Sequence, residues 1–337
     1  MTTNTITKKN SVPDFLPVGK LNKFVRWESF LVIILFGVCV LNSFLSPYFL
    51  DPWNLSDATF NFTEKALIAL PMALLIIARE IDISVAAIIA LSSTVMGLVS
   101  ELGAPLYAVV VTGIAVGGLC GLCNGLLVTK FAIPSIVVTI GTMSLFRGIS
   151  YIILGDEVLK NYPDGFDFFG QGYVYWVVSF EFVTFIIFAL VFYWLLHKSI
   201  FGRRTFAIGN NPDAAYYSGI NVNRHKLILF VLVGLMSGVA AVLLTSRLGS
   251  TRPSIAMGWE LSIITMVVLG GVSILGGSGT IGGVVLAVIL MGMVTFGMGL
   301  VNIPGIVMTI IVGLMLMFVV SLPVLISMYK AKRQRQV

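Results

Sequence analysis

Residues 66–78 read ALIALPMALLIIA and residues 303–320 read IPGIVMTIIVGLMLMFVV, two runs without a charged side chain. Neither alternates polar with apolar residues, as a membrane strand of about ten residues must, so each reads as a helix crossing hydrocarbon. The rest of the chain repeats the pattern. Of 337 residues, 58% are apolar and only 11% charged, against roughly 45–50% and about 25% in soluble domains. A soluble fold of this length needs more polar surface, and disordered chains lack this aliphatic content. A spanning helix needs about 20 residues. Ten apolar segments are present, at 28–48, 63–79, 85–101, 105–128, 133–154, 174–196, 227–246, 261–275, 281–300 and 304–327. The sequence therefore predicts an all-α, polytopic transmembrane helical bundle of about ten spans. Its membrane domain covers 28–328, between a short N-terminal segment, 1–27, and a basic tail, 329–337.

The net charge of +6 comes from 21 Lys+Arg against 15 Asp+Glu, and the positions of the cations decide its meaning. With the N-terminus inside, 16 of the 21 fall in segments on that side, from Lys8 and Lys9 to Arg333 and Arg335. Asp51, Asp57, Glu101, Asp156, Glu157, Asp164 and Asp167 fall on the other. The positive-inside rule then predicts both termini in the cytoplasm. Cations dispersed among membrane loops give no reason to expect a nucleic-acid partner. No small-residue cleavage pattern follows the first apolar run, so the first helix reads as uncleaved. Cys39, Cys120 and Cys123 all lie inside apolar runs and form no disulfide framework.

Several motifs match chemistry on paper and lose to packing. Cys120-x-x-Cys123 sits in mid-membrane with no cation adjacent, so neither thiolate nor metal chemistry is expected. Gly277-x-Gly279-x-x-Gly282 fits the dinucleotide spacing, yet no acidic residue follows Glu260, and these glycines read as a helix break or tight turn. A Walker A loop is absent: Gly19-Lys20 is followed by Leu, and Asp14 stands where the loop needs glycine. The chain is thus expected to bind no cofactor of its own and not to act as an enzyme. Gly113, Gly117, Gly121 and Gly125 recur every fourth residue, the stripe along which another helix backbone approaches closely.

The remaining polar residues are the candidates for function. Arg79-Glu80-Ile-Asp82-Ile-Ser84 follows the second span, and Asp82 or Ser84 is expected to accept the free amides that open the third. Asn124 lies beside the glycine stripe. Thr139, Thr142 and Arg147 share the fifth span, where Arg147 either faces a polar path or snorkels to the interface. With Asp82 and Ser84 these form the candidate substrate path. Residues 155–173 are acidic and aromatic and read as a solvated outer connector or a docking rim. In the cytoplasmic loop, 197–226, Gly209-Asn210-Asn211-Pro212-Asp213-Ala214-Ala215 is followed by Gly219. Pro212 suits a first helical turn, Asp213 the positive helix terminus, and Gly219 a left-handed stop. A short surface helix is predicted there, either a packing filler or a docking knob, and its basic flanks and tyrosines favour docking.

Asp213-Ala-Ala-x-x-x-Gly219 resembles the E-A-A-x-x-x-G coupling element of permeases in ATP-binding-cassette (ABC) importers, with Asp for Glu and no Ile-x-Leu-Pro after it. More specifically, residues 121–148 (GLCNGLLVTKFAIPSIVVTIGTMSLFRG), 202–220 (GRRTFAIGNNPDAAYYSGI) and 270–283 (GGVSILGGSGTIGG) resemble the ribose-type sugar permease family in order and spacing. The likeness runs from about residue 30 to 325. One departure is Arg79-Glu80-Ile-Asp82-Ile-Ser84-Val85-Ala86, where that family often has Gly-Gly-Ile-Asp-Leu-Ser-Val-Gly. The resemblance implies a permease of the bacterial inner membrane that moves a monosaccharide of the ribose, rhamnose, xylose or autoinducer-2 type. It implies separate ABC ATPase subunits that use ATP-Mg and dock at residues 209–215 and Gly219. A periplasmic or lipid-anchored binding protein and a second permease subunit, identical or homologous, complete the implied assembly. A branched-chain amino-acid or nucleoside permease is the nearest alternative, and an ion-coupled transporter a more distant one.

Overall fold

Each of the ten apolar runs holds a helix in the computed structural model, which describes residues 27–315, 317 and 321. The N-terminal segment to residue 26, the end of the last run and the basic tail lie outside the described residues, and so do the cations on them. In order, the elements are α1 Trp27–Leu45, α2 Pro52–Phe60, α3 Thr63–Ile77, α4 Val85–Glu101, α5 Leu106–Lys130, α6 Ser135–Leu154 and α7 Phe168–Gln171. A hairpin of β1 Tyr173–Tyr175 and β2 Val178–Ser179 leads to α8 Phe180–His197, α9 Ile200–Asn210, α10 Pro212–Tyr217, α11 Val222–Leu248, α12 Trp259–Leu269 and α13 Ile281–Leu300. Last comes α14, Gly305–Met315.

Among the described residues, six helices, α1, α5, α6, α8, α11 and α13, are long and apolar enough to cross a membrane. The pair α2 and α3 adds a seventh if its 51° bend lies within one span, and α4, α12 and α14 are shorter apolar helices. The core forms around α3, in which every residue except Lys65 is buried. Such a helix has no polar face because α8, α11 and α12 surround it.

The glycine stripe works as its spacing predicts. A Cβ on Gly117 would lie 2.4 Å from the Gly234 carbonyl of α11, and one on Gly121 would lie 2.4 Å from the Phe230 carbonyl. Gly234 and Gly238 answer from α11, where an added Cβ would meet the Gly117 and Gly113 carbonyls at 2.3 and 2.7 Å. The two backbones therefore touch, and the seam depends on missing side chains at both surfaces.

Some boundaries are corrected. The run at 174–196 becomes helical only at Phe180, where the Ser179 hydroxyl accepts the Phe182 amide; before it the chain forms the hairpin. The run at 227–246 starts earlier, because the Asn221 side chain accepts the Arg224 amide. The run at 261–275 keeps its helix only to Leu269. Beyond it Gly271, Gly276 and Gly277 adopt positive φ, +83°, +82° and +77°, which make the turn their sequence predicts. Residues 155–173 are no plain solvated connector. Leu159 exchanges backbone hydrogen bonds with Thr251, Phe166 is buried against the Tyr162 ring, and Asn161 donates to Glu101. Burial pushes the Tyr162 hydroxyl up to about 12, so it remains a neutral partner for Thr251.

Candidate functional site

The turn between α3 and α4 gathers most of the polar residues singled out above. Asp82 Oδ1 accepts from the Ser84 amide at 2.8 Å and the Ser84 hydroxyl at 2.6 Å. From α5, Asn124 Nδ2 donates to Ser84 Oγ at 2.8 Å and to Asp82 Oδ2 at 3.1 Å. All three side chains are fully buried, and polar groups removed from water need such partners. The capping expectation is corrected in detail: Asp82 bonds within its own turn, and Ser84, at the cap position, makes no side-chain cap bond. Burial pushes the Asp82 carboxyl above the usual carboxylate range, and the bonds from Ser84 and Asn124 oppose it. Thr139 joins the group at its margin, its hydroxyl 3.5 Å from the Ile81 carbonyl, while Ser135 Oγ accepts the Ile81 amide at 3.3 Å.

Arg79 and Glu80 face the other way. Arg79 Nε donates to the Gly209 carbonyl at 2.7 Å, and Nη2 donates to the Asn210 carbonyl at 2.9 Å. A cation thereby fills the carbonyl-rich C-terminus of α9, where the helix dipole favours it. Glu80 forms an ion pair with Lys226 at the start of α11. The junction is tight, because the Gly277 amide donates to the Ile77 carbonyl and a Cβ on Gly209 would lie only 1.8 Å from that oxygen.

The short helix predicted at 212–217 is present as α10. Asn211 Oδ1 accepts from the Asp213 and Ala214 amides at 3.0 Å each, with Pro212 in the first turn. Gly219 stops it at φ +83°, with its amide on Tyr216 and the Ile220 amide on Ala215. Ala215 is buried, while Tyr216 and Tyr217 stand 66% and 86% exposed, so α10 offers an aromatic knob. The helix before it, α9, escaped the sequence reading. Its signal was Ser199, which accepts the Gly202 amide, followed by Thr205 and Ile208 buried at helical spacing with Arg203 and Arg204 outside.

The remaining path candidates lie along α6. Thr142 is buried, its hydroxyl 3.4 Å from the Thr139 carbonyl. Arg147 neither snorkels nor stands free: its Nη1 donates to the Pro253 carbonyl at 2.6 Å and the Ile255 carbonyl at 2.7 Å, pinning the segment before α12. The structure thus brings together Asp82, Ser84, Asn124 and Thr139, and leaves Arg147 apart.

Two polar sets were missed. Ser93 meets Thr245 at 2.7 Å and Thr251 at 2.6 Å, and Thr251 also meets Tyr162. The signal was three consecutive hydroxyls, Ser92-Ser93-Thr94, inside an apolar run. Arg247 donates to buried Glu64 at 2.7 Å, across 183 positions of sequence that no local pattern connects. A cavity of about 490 Å³ opens among Phe62, Lys65, Met266, Met291, Thr295 and Met308, and none of the six path candidates lines it.

Comparison with known proteins places the chain in a family. Residues 54–320 match the family described as branched-chain amino acid transport system / permease component. The ribose import permease protein RbsC of Bacillus subtilis is 35% identical over 292 residues, 86% of this chain and 90% of the relative. The autoinducer 2 import system permease protein LsrD of Klebsiella pneumoniae is 36% identical over 307 residues, 88% and 91% of the two chains. The L-arabinose ABC transporter permease protein AraH of Azospirillum brasilense is 34% identical over 309 residues, 91% and 89%. No solved structure matches. With the match covering most of the chain, and with spanning helices packed around a buried α3, the protein belongs to this permease family and is a multi-pass protein of the bacterial inner membrane.

Proposed function

We propose that this chain is the membrane-spanning subunit of an ABC importer for a monosaccharide or a furanosyl compound of the autoinducer-2 kind. The relatives named above import ribose, autoinducer 2 and L-arabinose, and this supports sugar over the amino acid of the family description. The observation that carries the coupling role is α10, a capped helix too short to span, presenting Tyr216 and Tyr217 beside the basic residues of α9. ATPase subunits dock there, on residues 209–215 and Gly219, and the ATP-Mg they consume is theirs; this chain binds no cofactor.

Six long helices, the bent α2–α3 pair and the three shorter apolar helices supply ten crossings. Both termini then lie in the cytoplasm, as do 1–27, 329–337 and the 197–226 loop. A binding protein delivers the sugar to the opposite face, and a second permease subunit, identical or homologous, completes the route. Along that route we place Thr139, Thr142 and Arg147 of α6. Asp82, Ser84 and Asn124 bond to one another and shape its inner end.

The test is uptake into proteoliposomes holding the permease with its ATPase and binding protein, with labelled ribose, L-arabinose, xylose, rhamnose, autoinducer-2, leucine and uridine offered in turn. Uptake of one of the sugars or autoinducer-2, abolished by a Walker-lysine variant of the ATPase, is expected. Uptake of leucine or uridine alone, or uptake that survives the ATPase variant, contradicts it.

A further inference from the structure

Residues 209–226 carry α10, and both ends of this segment are tied to two adjacent residues at the end of α3. Arg79 holds the front through the Gly209 and Asn210 carbonyls, and Glu80 holds the rear through Lys226. We propose that Arg79 and Glu80 form a two-armed clamp that passes displacement of α10 into the α3–α4 turn, and so to the core helix of the bundle. This rests on α10 being the ATPase dock.

Four observations support the clamp. Arg79 sits at φ +67°, a left-handed conformation that strains a non-glycine residue and persists only where its surroundings hold it. The surroundings here are the two carbonyls its guanidinium fills. Next, the contact has no slack: a Cβ on Gly209 would fall 1.8 Å from the Ile77 carbonyl, and one on Gly276 would fall 2.4 Å from Arg79 Cγ. Glu80 and Lys226 are mostly buried, their side chains 10% and 18% exposed, and separating such a pair strands a charge. Finally, the turn grips its far side as well, through Ile81 on Ser135 of α6 and through Asp82 and Ser84 on Asn124 of α5. A push on α10 therefore has a bonded route into α3, α4, α5 and α6, and both arms start from neighbouring residues, so α10 moves with the turn.

The test is hydrogen–deuterium exchange on the assembled importer, permease with ATPase, with and without ATP and vanadate. In the wild type both 212–219 and 78–84 are expected to change exchange on trapping. Arg79→Gly, which suits the left-handed backbone but lacks the guanidinium, and Glu80→Lys are expected to co-purify with the ATPase and keep the change at 212–219. Each loses the change at 78–84. The exchanged pair Glu80→Lys with Lys226→Glu restores it, which a merely stabilising contact does not require. Should Glu80→Lys fail to assemble, Arg79→Gly and the exchanged pair carry the test. A response at 78–84 that persists in Arg79→Gly, or that is missing from the wild type while 212–219 responds, overturns the clamp. No response at 212–219 in a wild-type complex that hydrolyses ATP overturns docking at α10, and the clamp with it.

Discussion

The α5–α11 seam and the junction of α3 with residues 209–226 are both close backbone contacts, held by opposite means. At the seam, glycines on both helices let main chains touch, and among the described residues no side-chain hydrogen bond joins the two helices. At the junction, charged side chains reach across: Arg79 to two carbonyls and Glu80 to Lys226. The first arrangement has one geometry and tolerates no added atom. The second consists of directional bonds from charged side chains, which tie the segment carrying α10 to the turn after α3. A permease needs both, a close-packed membrane frame and a bonded joint beneath it.

Substitutions separate these two kinds of contact, the seam being the more severe. Gly117→Leu places side-chain atoms where the Gly234 carbonyl lies 2.4 Å from a Cβ and Gly238 backbone at 2.7 Å. Backbone on that side cannot yield as a side chain does, so the cost is expected to reach or exceed the roughly 1–3 kcal/mol of ordinary overpacking. Size-exclusion chromatography in detergent should show the monodisperse peak lost; an unaltered peak would mean the seam is loose. Asn124→Leu removes the donor from Asp82 and Ser84 in a buried site, at about 1–3 kcal/mol. A lower thermal midpoint with insertion preserved is expected.

The knob should behave differently from both. Gly219→Leu forces a side chain into φ +83°, at about 1–2 kcal/mol, although the space around it is open. Like Asp213→Lys, on an exposed residue, it is expected to leave membrane insertion intact while transport per ATP hydrolysed falls. Gly219→Asn, which accepts left-handed backbone more readily, should fall less. Normal transport in both Gly219→Leu and Asp213→Lys would remove the docking role from α10. The smallest effect is expected for Arg147→Lys. An ammonium keeps the charge but loses the guanidinium geometry that holds the Pro253 and Ile255 carbonyls, so a stability loss of about 1 kcal/mol is expected in a denaturation series.

What was readable beforehand follows the range of the interaction. The glycine stripe, the Asn211-Pro212 start and Gly219 stop of α10, and the glycine turn after α12 are local patterns with a geometric meaning, and each stands where its spacing put it. Arg79 could not be assigned from its own neighbourhood, because its partners are backbone carbonyls 130 and 131 positions away. Any residue type supplies a carbonyl, so no sequence pattern marks one. The same holds for Arg147 and the segment before α12. The hairpin at 173–179 was hidden for another reason: its aromatic and β-branched residues read as apolar as a helix does. Of the path candidates, Asp82, Ser84, Asn124 and Thr139 were legible as polar exceptions in an apolar chain, but the bonding of the first three to one another was not.

Photo-crosslinking most directly tests where the ATPase engages. A benzophenone amino acid would replace Tyr217 in α10, and separately Trp176 in the hairpin, both of them exposed, in the importer assembled with its ATPase. An adduct between permease and ATPase from position 217 and none from 176 is expected. An adduct from 176, or none from 217 in a complex that hydrolyses ATP, would contradict the account.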